Sequence, residues 1–353
     1  MLARFACVPA ALFLAAGPSL AQRPDHEPET KTPIDIGSAA PALHVERWVK
    51  GSPVATFEKG KSYVVEFWAT WSAPCVASMP HLSALQRQYK DVTFIGVSTK
   101  GPRNDLPAVE AMVKQKGDAM DYAVAWDEGS RTRDAYLVAA TQKGIPCAFL
   151  VDGAGKIGFI GHPMFLDLPL ERLAAGTWDA RKGSDAIDAA EKAFDRIFEV
   201  MPGDPKAALA TISAFEREFP DYLELVALTK FEVLLVAGDE AAAYACASKL
   251  VDEAIEHKET DTLNDVAWRI VDPKAKWAKV DLALAQRAAE KGVAFTGEKD
   301  GALLDTLARV WFLKGDVAKA IELETKAAAV ATGKIKEDVE KTLAEYKAKA
   351  SRG

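Results

Sequence analysis

Glu66-Phe67-Trp68-Ala69-Thr70-Trp71-Ser72-Ala73-Pro74-Cys75 decides the reading of this chain. Tyr63–Trp68 is an apolar, aromatic run of strand length, interrupted only by Glu66. A tight turn follows, and Pro74 suits the first turn of a helix. Met79, Leu82, Leu85 and Tyr89 recur at helical spacing over 73–90. Cys75 therefore falls in the first turn of a helix. There the unpaired N–H groups and the positive dipole end favour a thiolate, so a depressed pKa is expected.

Outward from this stretch, strands and helices alternate. Strands are read at 92–98, 122–126, 147–151 and 157–161, the last two joined by the Gly153-Ala154-Gly155-Lys156 turn. Helices are read at 106–116, 133–142 and 168–175. This alternation predicts an α/β layer fold with helices flanking a mixed sheet. After Trp178-Asp179 the strand signals stop, and Ala-, Leu- and Glu-rich helical periodicity takes over. Hairpins are read at 222–255, 262–295 and 303–330.

The chain has 353 residues and a net charge of −7, with 49% hydrophobic and 27% charged residues. These values fit a soluble globular protein of about two domains. No Lys/Arg-rich block offers a nucleic-acid footprint. Arg4, the apolar run 5–16 and the small residues Ser19 and Ala21 read as a signal peptide over 1–21. Removing Arg4 makes the mature chain one unit more negative. No other apolar run is long enough to span a membrane, so no integral membrane segment is expected in the mature chain. The expected order is signal peptide 1–21, flexible leader 22–34, α/β domain 35–180, linker 181–186 and helical domain 187–350. Export to the periplasm or the extracellular space would leave Cys75, Cys147 and Cys246 where disulfides persist.

The signature at 67–75 resembles the thioredoxin superfamily, in its TlpA-like and AhpC/TSA (redoxin) branch. Gly144-Ile145-Pro146, leading into the strand 147–151, strengthens the resemblance. It covers about residues 36–180 and implies a thioredoxin-like fold that exchanges protein thiols and disulfides. It also implies a cis Pro146 facing the active-site cysteines, a substrate groove around Trp71, Pro74 and Ile145, and Glu66 as the family's buried acid near Cys75, where a buried carboxyl has a raised pKa and can shuttle a proton. The helical half resembles tetratricopeptide repeats, which implies a face for a protein or peptide partner.

This chain departs from the family at Ser72. The family's dithiol motif is Cys-x-x-Cys, and its first cysteine is the nucleophile. Serine forms no disulfide, so Ser72 and Cys75 cannot run the two-electron dithiol cycle. Cys147, directly after Pro146, is open to three readings: an inert buried thiol, a disulfide partner of Cys75, or a neighbour that tunes it. Cys246 reads as packing. His26, His44, His81, His162 and His257 make no metal-ligand spacing, and no cofactor or metal is assigned. Two functional classes remain: an oxidoreductase working through Cys75, and a redox-inactive binding scaffold. Peroxidase chemistry of the AhpC/TSA kind lacks its thiol at position 72.

Overall fold

The computed structural model describes residues 33–275 and 277–351. The expected signal peptide and most of the expected leader lie outside these residues. The chain divides into two compact units, one up to Asp195 and one from Arg196.

The first unit holds β1 (Arg47–Lys50), β2 (Ser62–Trp68), α1 (Ala73–Gln88), β3 (Val92–Thr99), α2 (Leu106–Lys116), β4 (Ala123–Asp127), α3 (Arg131–Arg133), β5 (Cys147–Val151), β6 (Ile157–Gly161) and α4 (Asp167–Ala174). The six strands form one mixed sheet in the order β1-β4-β3-β2-β5-β6. β2, β3 and β4 run parallel, whereas β1, β5 and β6 pair antiparallel to their neighbours. β2 and β3 are central and buried on both faces, which is why they read as near-continuous apolar runs. The unit is a thioredoxin-like α/β fold.

Strand alternation sorts the core. Tyr63, Val65 and Phe67 join Tyr136, Cys147 and Phe149 in one cluster. The rings of Phe67, Tyr136 and Phe149 lie 5.1–5.8 Å apart. Val64, Glu66 and Trp68 therefore point to the opposite face. Glu66 stands opposite Gly96 on β3 and Ala148 on β5.

Three sequence expectations need correction. The helix expected over 133–142 is α3 continued by a π-helical turn, Asp134–Val138, in which the Tyr136 hydroxyl donates to Pro41 O at 2.6 Å. The leader expected to run through residue 34 is already anchored there. Ile34 packs on the Phe67 cluster, and its N–H donates to Ala139 O. Residues 181–186, expected as a linker, belong to the helix α5 (Ala180–Val200). Gly183 lies inside this helix, and its missing Cβ makes room for Trp178, whose ring would come within 2.1 Å of a Cβ there.

The unit from Arg196 is all-helical: α6 (Pro205–Glu218), α7 (Leu223–Val236), α8 (Glu240–His257), α9 (Thr260–Val271), α10 (Leu282–Thr296), α11 (Gly301–Leu313), α12 (Val317–Val330) and α13 (Gly333–Ala350). Asp side chains cap α6, α8, α10, α11 and α12 by accepting backbone N–H groups, which satisfies donors that a helix start leaves unpaired. Gly292 lets Leu303 approach closely, since a Cβ there would meet Leu303 Cδ2 at 2.5 Å. Among the described residues, no helix is long and apolar enough to cross a membrane.

Candidate functional site

Ser72 begins α1 as its N-cap, and its hydroxyl accepts from Cys75 N at 3.4 Å. Ser is a favoured cap because its oxygen satisfies one unpaired donor of the first turn. Ser72 is buried, whereas its neighbours Trp71, Ala73 and Pro74 are exposed. Trp71 is 50% exposed, and the Arg103 guanidinium lies over its ring at 4.9 Å.

Cys75 is only 1% exposed. The expectation of a depressed thiol pKa is overturned: burial, followed by the nearby Glu66 charge, pushes it up to about 12. The hydrogen bond from Ser72 and the backbone of Ala69 and Cys75 pull the other way without prevailing. Magnitudes explain the outcome. A helix end contributes about 0.3–1 kcal/mol, less than one pKa unit, while burial moves a thiol by several.

Glu66 is 2% exposed, and neither carboxyl oxygen has a hydrogen-bond partner. Burial raises its pKa well above the ordinary carboxylate value, in the expected direction. Its charge is felt by Cys75, Tyr122 and Cys147 alike.

The Ile145–Pro146 bond is cis. Pro146 is buried and Ile145 half-buried. Cys147, 3% exposed, stands opposite Phe67 in the β2–β5 register. Burial, then the charges of Glu191 and Glu66, push its thiol pKa up. Cys75, Cys147 and Cys246 are all free thiols. Cys246 is half-buried and donates weakly to Ala227 O at 3.6 Å.

Several residues of the site gave no sequence signal. Asn104 is buried between loops and fully used. It accepts from the N–H and hydroxyl of Thr70, both at 2.9 Å, and donates to Ser98 Oγ and Thr99 O. It thereby clips the turn carrying Trp71 to the end of β3. Tyr122 and Trp68 come together over Gly96, and their Oη and Nε1 are buried without partners. Glu191 accepts from His162 N at 2.8 Å, and burial raises its pKa to about 7. Burial, then the charge of His81, lowers the pKa of His162 to about 4. His81 pairs with Asp167 at 2.9 Å. Among the described residues no cluster of three His, Cys, Asp or Glu side chains could hold a metal ion.

The AhpC/TSA family model matches residues 36–160. FixW of Rhizobium leguminosarum is 29% identical over 153 residues, 42% of this chain and 69% of that protein. The thiol-disulfide oxidoreductase ResA of Bacillus thuringiensis is 30% identical over 128 residues, 36% of this chain and 69% of that protein. The thiol:disulfide interchange protein HelX of Rhodobacter capsulatus is 31% identical over 174 residues, 47% of this chain and 92% of that protein. Residues 36–160 carry the strand–turn–helix of Glu66 to Cys75 and the cis Pro146 described above. This chain belongs to the thioredoxin superfamily, in its TlpA-like, AhpC/TSA branch.

Proposed function

We propose that this protein is an exported thiol–disulfide exchange protein that acts on protein partners through Cys75, with Ser72 in the place of the usual nucleophile. The observation that carries this reading is the buried, unpartnered Glu66 carboxyl beside Cys75. Burying such a group costs folding free energy, so a purely structural site would favour an apolar side chain. A carboxyl with a raised pKa next to a thiol is suited to take its proton.

In the proposed step, the ionised form of Glu66 accepts the proton from Cys75 Sγ. The thiolate attacks one sulfur of a partner disulfide seated by Trp71, Pro74 and Ile145. A Cys75–partner bond forms as the partner's S–S bond breaks. The departing partner sulfur leaves as a thiolate and takes the proton from Glu66. A further thiol of the partner then attacks the mixed disulfide and releases Cys75. This cycle rearranges partner disulfides without net oxidation. Cys147 is the internal candidate for a resolving thiol; in that role a Cys75–Cys147 disulfide forms, the partner leaves as a thiol, an external dithiol must reduce the pair before the next turn, and Cys147 must leave the Phe67–Tyr136–Phe149 cluster. The helical unit is proposed to present the protein partner, in the manner of tetratricopeptide arrays. The signal-peptide reading of 1–21 supports export to the periplasm or the extracellular space.

The test is capture of a mixed disulfide. Wild-type protein is incubated with a disulfide-bonded peptide, quenched with acid and read by intact mass. One adduct, mapped to Cys75 and absent from Cys75→Ala, is the expected result. A second reading, a binding scaffold without thiol chemistry, is favoured by the contrast between sealed Cys75 and exposed Trp71. It predicts no adduct, and partner binding unchanged in Cys75→Ala.

A further inference from the structure

Three residues besides Cys75 surround the Glu66 carboxyl, and the thiol step above uses none of them. Trp68 lies two residues along β2, so its side chain shares the face of Glu66. Gly96 stands directly opposite Glu66 on β3. A Cβ at Gly96 would lie 2.9 Å from Tyr122 Cε2 and 3.0 Å from Trp68 Nε1. The absent side chain is therefore what lets the phenol and the indole N–H meet over the strand beside the carboxyl.

Both Glu66 oxygens, Tyr122 Oη and Trp68 Nε1 are buried, and none has a hydrogen-bond partner. All three residues are more than nine-tenths buried. Buried polar atoms are ordinarily paired, each unmet one being costly, so four at one place point to a common ligand. Two acceptors facing two donors suit a single water molecule, which bridges two to four such groups. Tyr122 also lines a cavity of about 600 Å³ between the start of β2 and the start of β4. The other titratable groups that sense Glu66 are the Cys75 and Cys147 thiols.

We propose that one water bound between the Glu66 carboxyl, the Tyr122 hydroxyl and the Trp68 indole N–H orients the Glu66 carboxyl, which makes Tyr122 and Trp68 positioning residues for Cys75 chemistry. This rests on the proton-acceptor role proposed for Glu66. Its test is nevertheless independent of turnover, because it reads the resting protein.

The test is infrared spectroscopy of the protein labelled with ¹³C at glutamate carboxyls. The Glu66 band is assigned by its loss in Glu66→Gln. A carboxyl C=O stretch rises in frequency when a hydrogen bond is removed. Tyr122→Phe keeps the ring over Gly96 and removes only the hydroxyl. It is expected to move the band to higher frequency and to delay ionisation to higher pH, because a donor favours the carboxylate. Tyr63→Phe, whose hydroxyl accepts from Glu58 N elsewhere, is expected to leave the band in place. The indole N–H resonance of Trp68 gives a second reading with Tyr122 intact, and Glu66→Gln is expected to shift it. An unmoved band in Tyr122→Phe together with an unmoved Trp68 resonance in Glu66→Gln overturns the proposal.

Discussion

Around Glu66, both carboxyl oxygens, Tyr122 Oη and Trp68 Nε1 are buried without partners. In the helical unit, by contrast, Glu232 faces Arg269, and Lys230 grips Glu216 at 2.8 Å. A carboxylate opposite a cation is an ordinary structural solution, since each charge compensates the other's desolvation. A carboxyl buried on the mixed sheet without a cation opposite is not, because no counter-charge offsets its burial. The difference separates scaffold from site within one chain. The helices set cations against their carboxylates, whereas burial alone sets the Glu66 pKa beside a thiol.

The largest expected effect tests what Ser72 withholds. Ser72→Cys places a second thiol at the α1 N-cap, next to Cys75. It should raise insulin disulfide reduction by roughly 10²-fold or more, because an intramolecular attack replaces an intermolecular one. A variant that forms the 72–75 disulfide yet stays at wild-type activity would show that the surroundings, not the missing thiol, silence the site.

Asn104→Ala comes next, because it removes the hydrogen bonds to Thr70 N, Thr70 Oγ1, Ser98 Oγ and Thr99 O. A loss of about 2–4 kcal/mol is expected from the lost hydrogen bonds and the unmet groups they leave. Denaturant titration reads it, and a loss below 1 kcal/mol on the same scale would show the Trp71 turn to be held elsewhere.

The two regions should respond with opposite signs to the loss of a carboxylate. Glu66→Met should stabilise by about 1–3 kcal/mol, since an unmet buried group is removed. Glu232→Gln should destabilise by about 2–3 kcal/mol, since Arg269 loses its counter-charge. The pH dependence follows from the raised Glu66 pKa. Folded protein holds this proton more tightly than unfolded chain, so the contribution is full below the ordinary carboxylate pKa. It is lost as pH rises towards the folded midpoint, at about 1.4 kcal/mol per pH unit. Stability relative to Glu66→Gln should therefore fall with rising pH, as measured by chemical denaturation across that window. The smallest effect is expected from Arg103→Ala, which removes the cation over Trp71, worth about 0.5–1 kcal/mol at an exposed ring. Weaker peptide binding with unchanged melting would place that contact in recognition.

How much was legible in the sequence depended on where each signal lives. α2, β5 and β6 run between the residues that periodicity marked, because each is a regular element bounded by clear turn residues. The cis bond at Pro146 also matched the family pattern. β1 was not legible: four residues on a sheet edge carry too little alternation. Residues 181–186 read as a linker because the contact of Gly183 with the Trp178 ring is tertiary. At the site, Glu66 and Cys75 were visible as a spacing. The burial that sets the Cys75 pKa was not, since the helix dipole is a local property and desolvation is a global one. Asn104 and Tyr122 reach the site from other loops, and no single stretch of sequence announces them.

The central claim is that Glu66 and Cys75 form one proton-and-thiol unit. Its most direct test is the rate of adduct formation at Cys75 with a peptide disulfide, in wild type and in Glu66→Gln, at neutral pH. The account predicts a rate lower by roughly 10²-fold in Glu66→Gln, the scale of a lost general base, with the fold intact. Equal rates in the two proteins would contradict it.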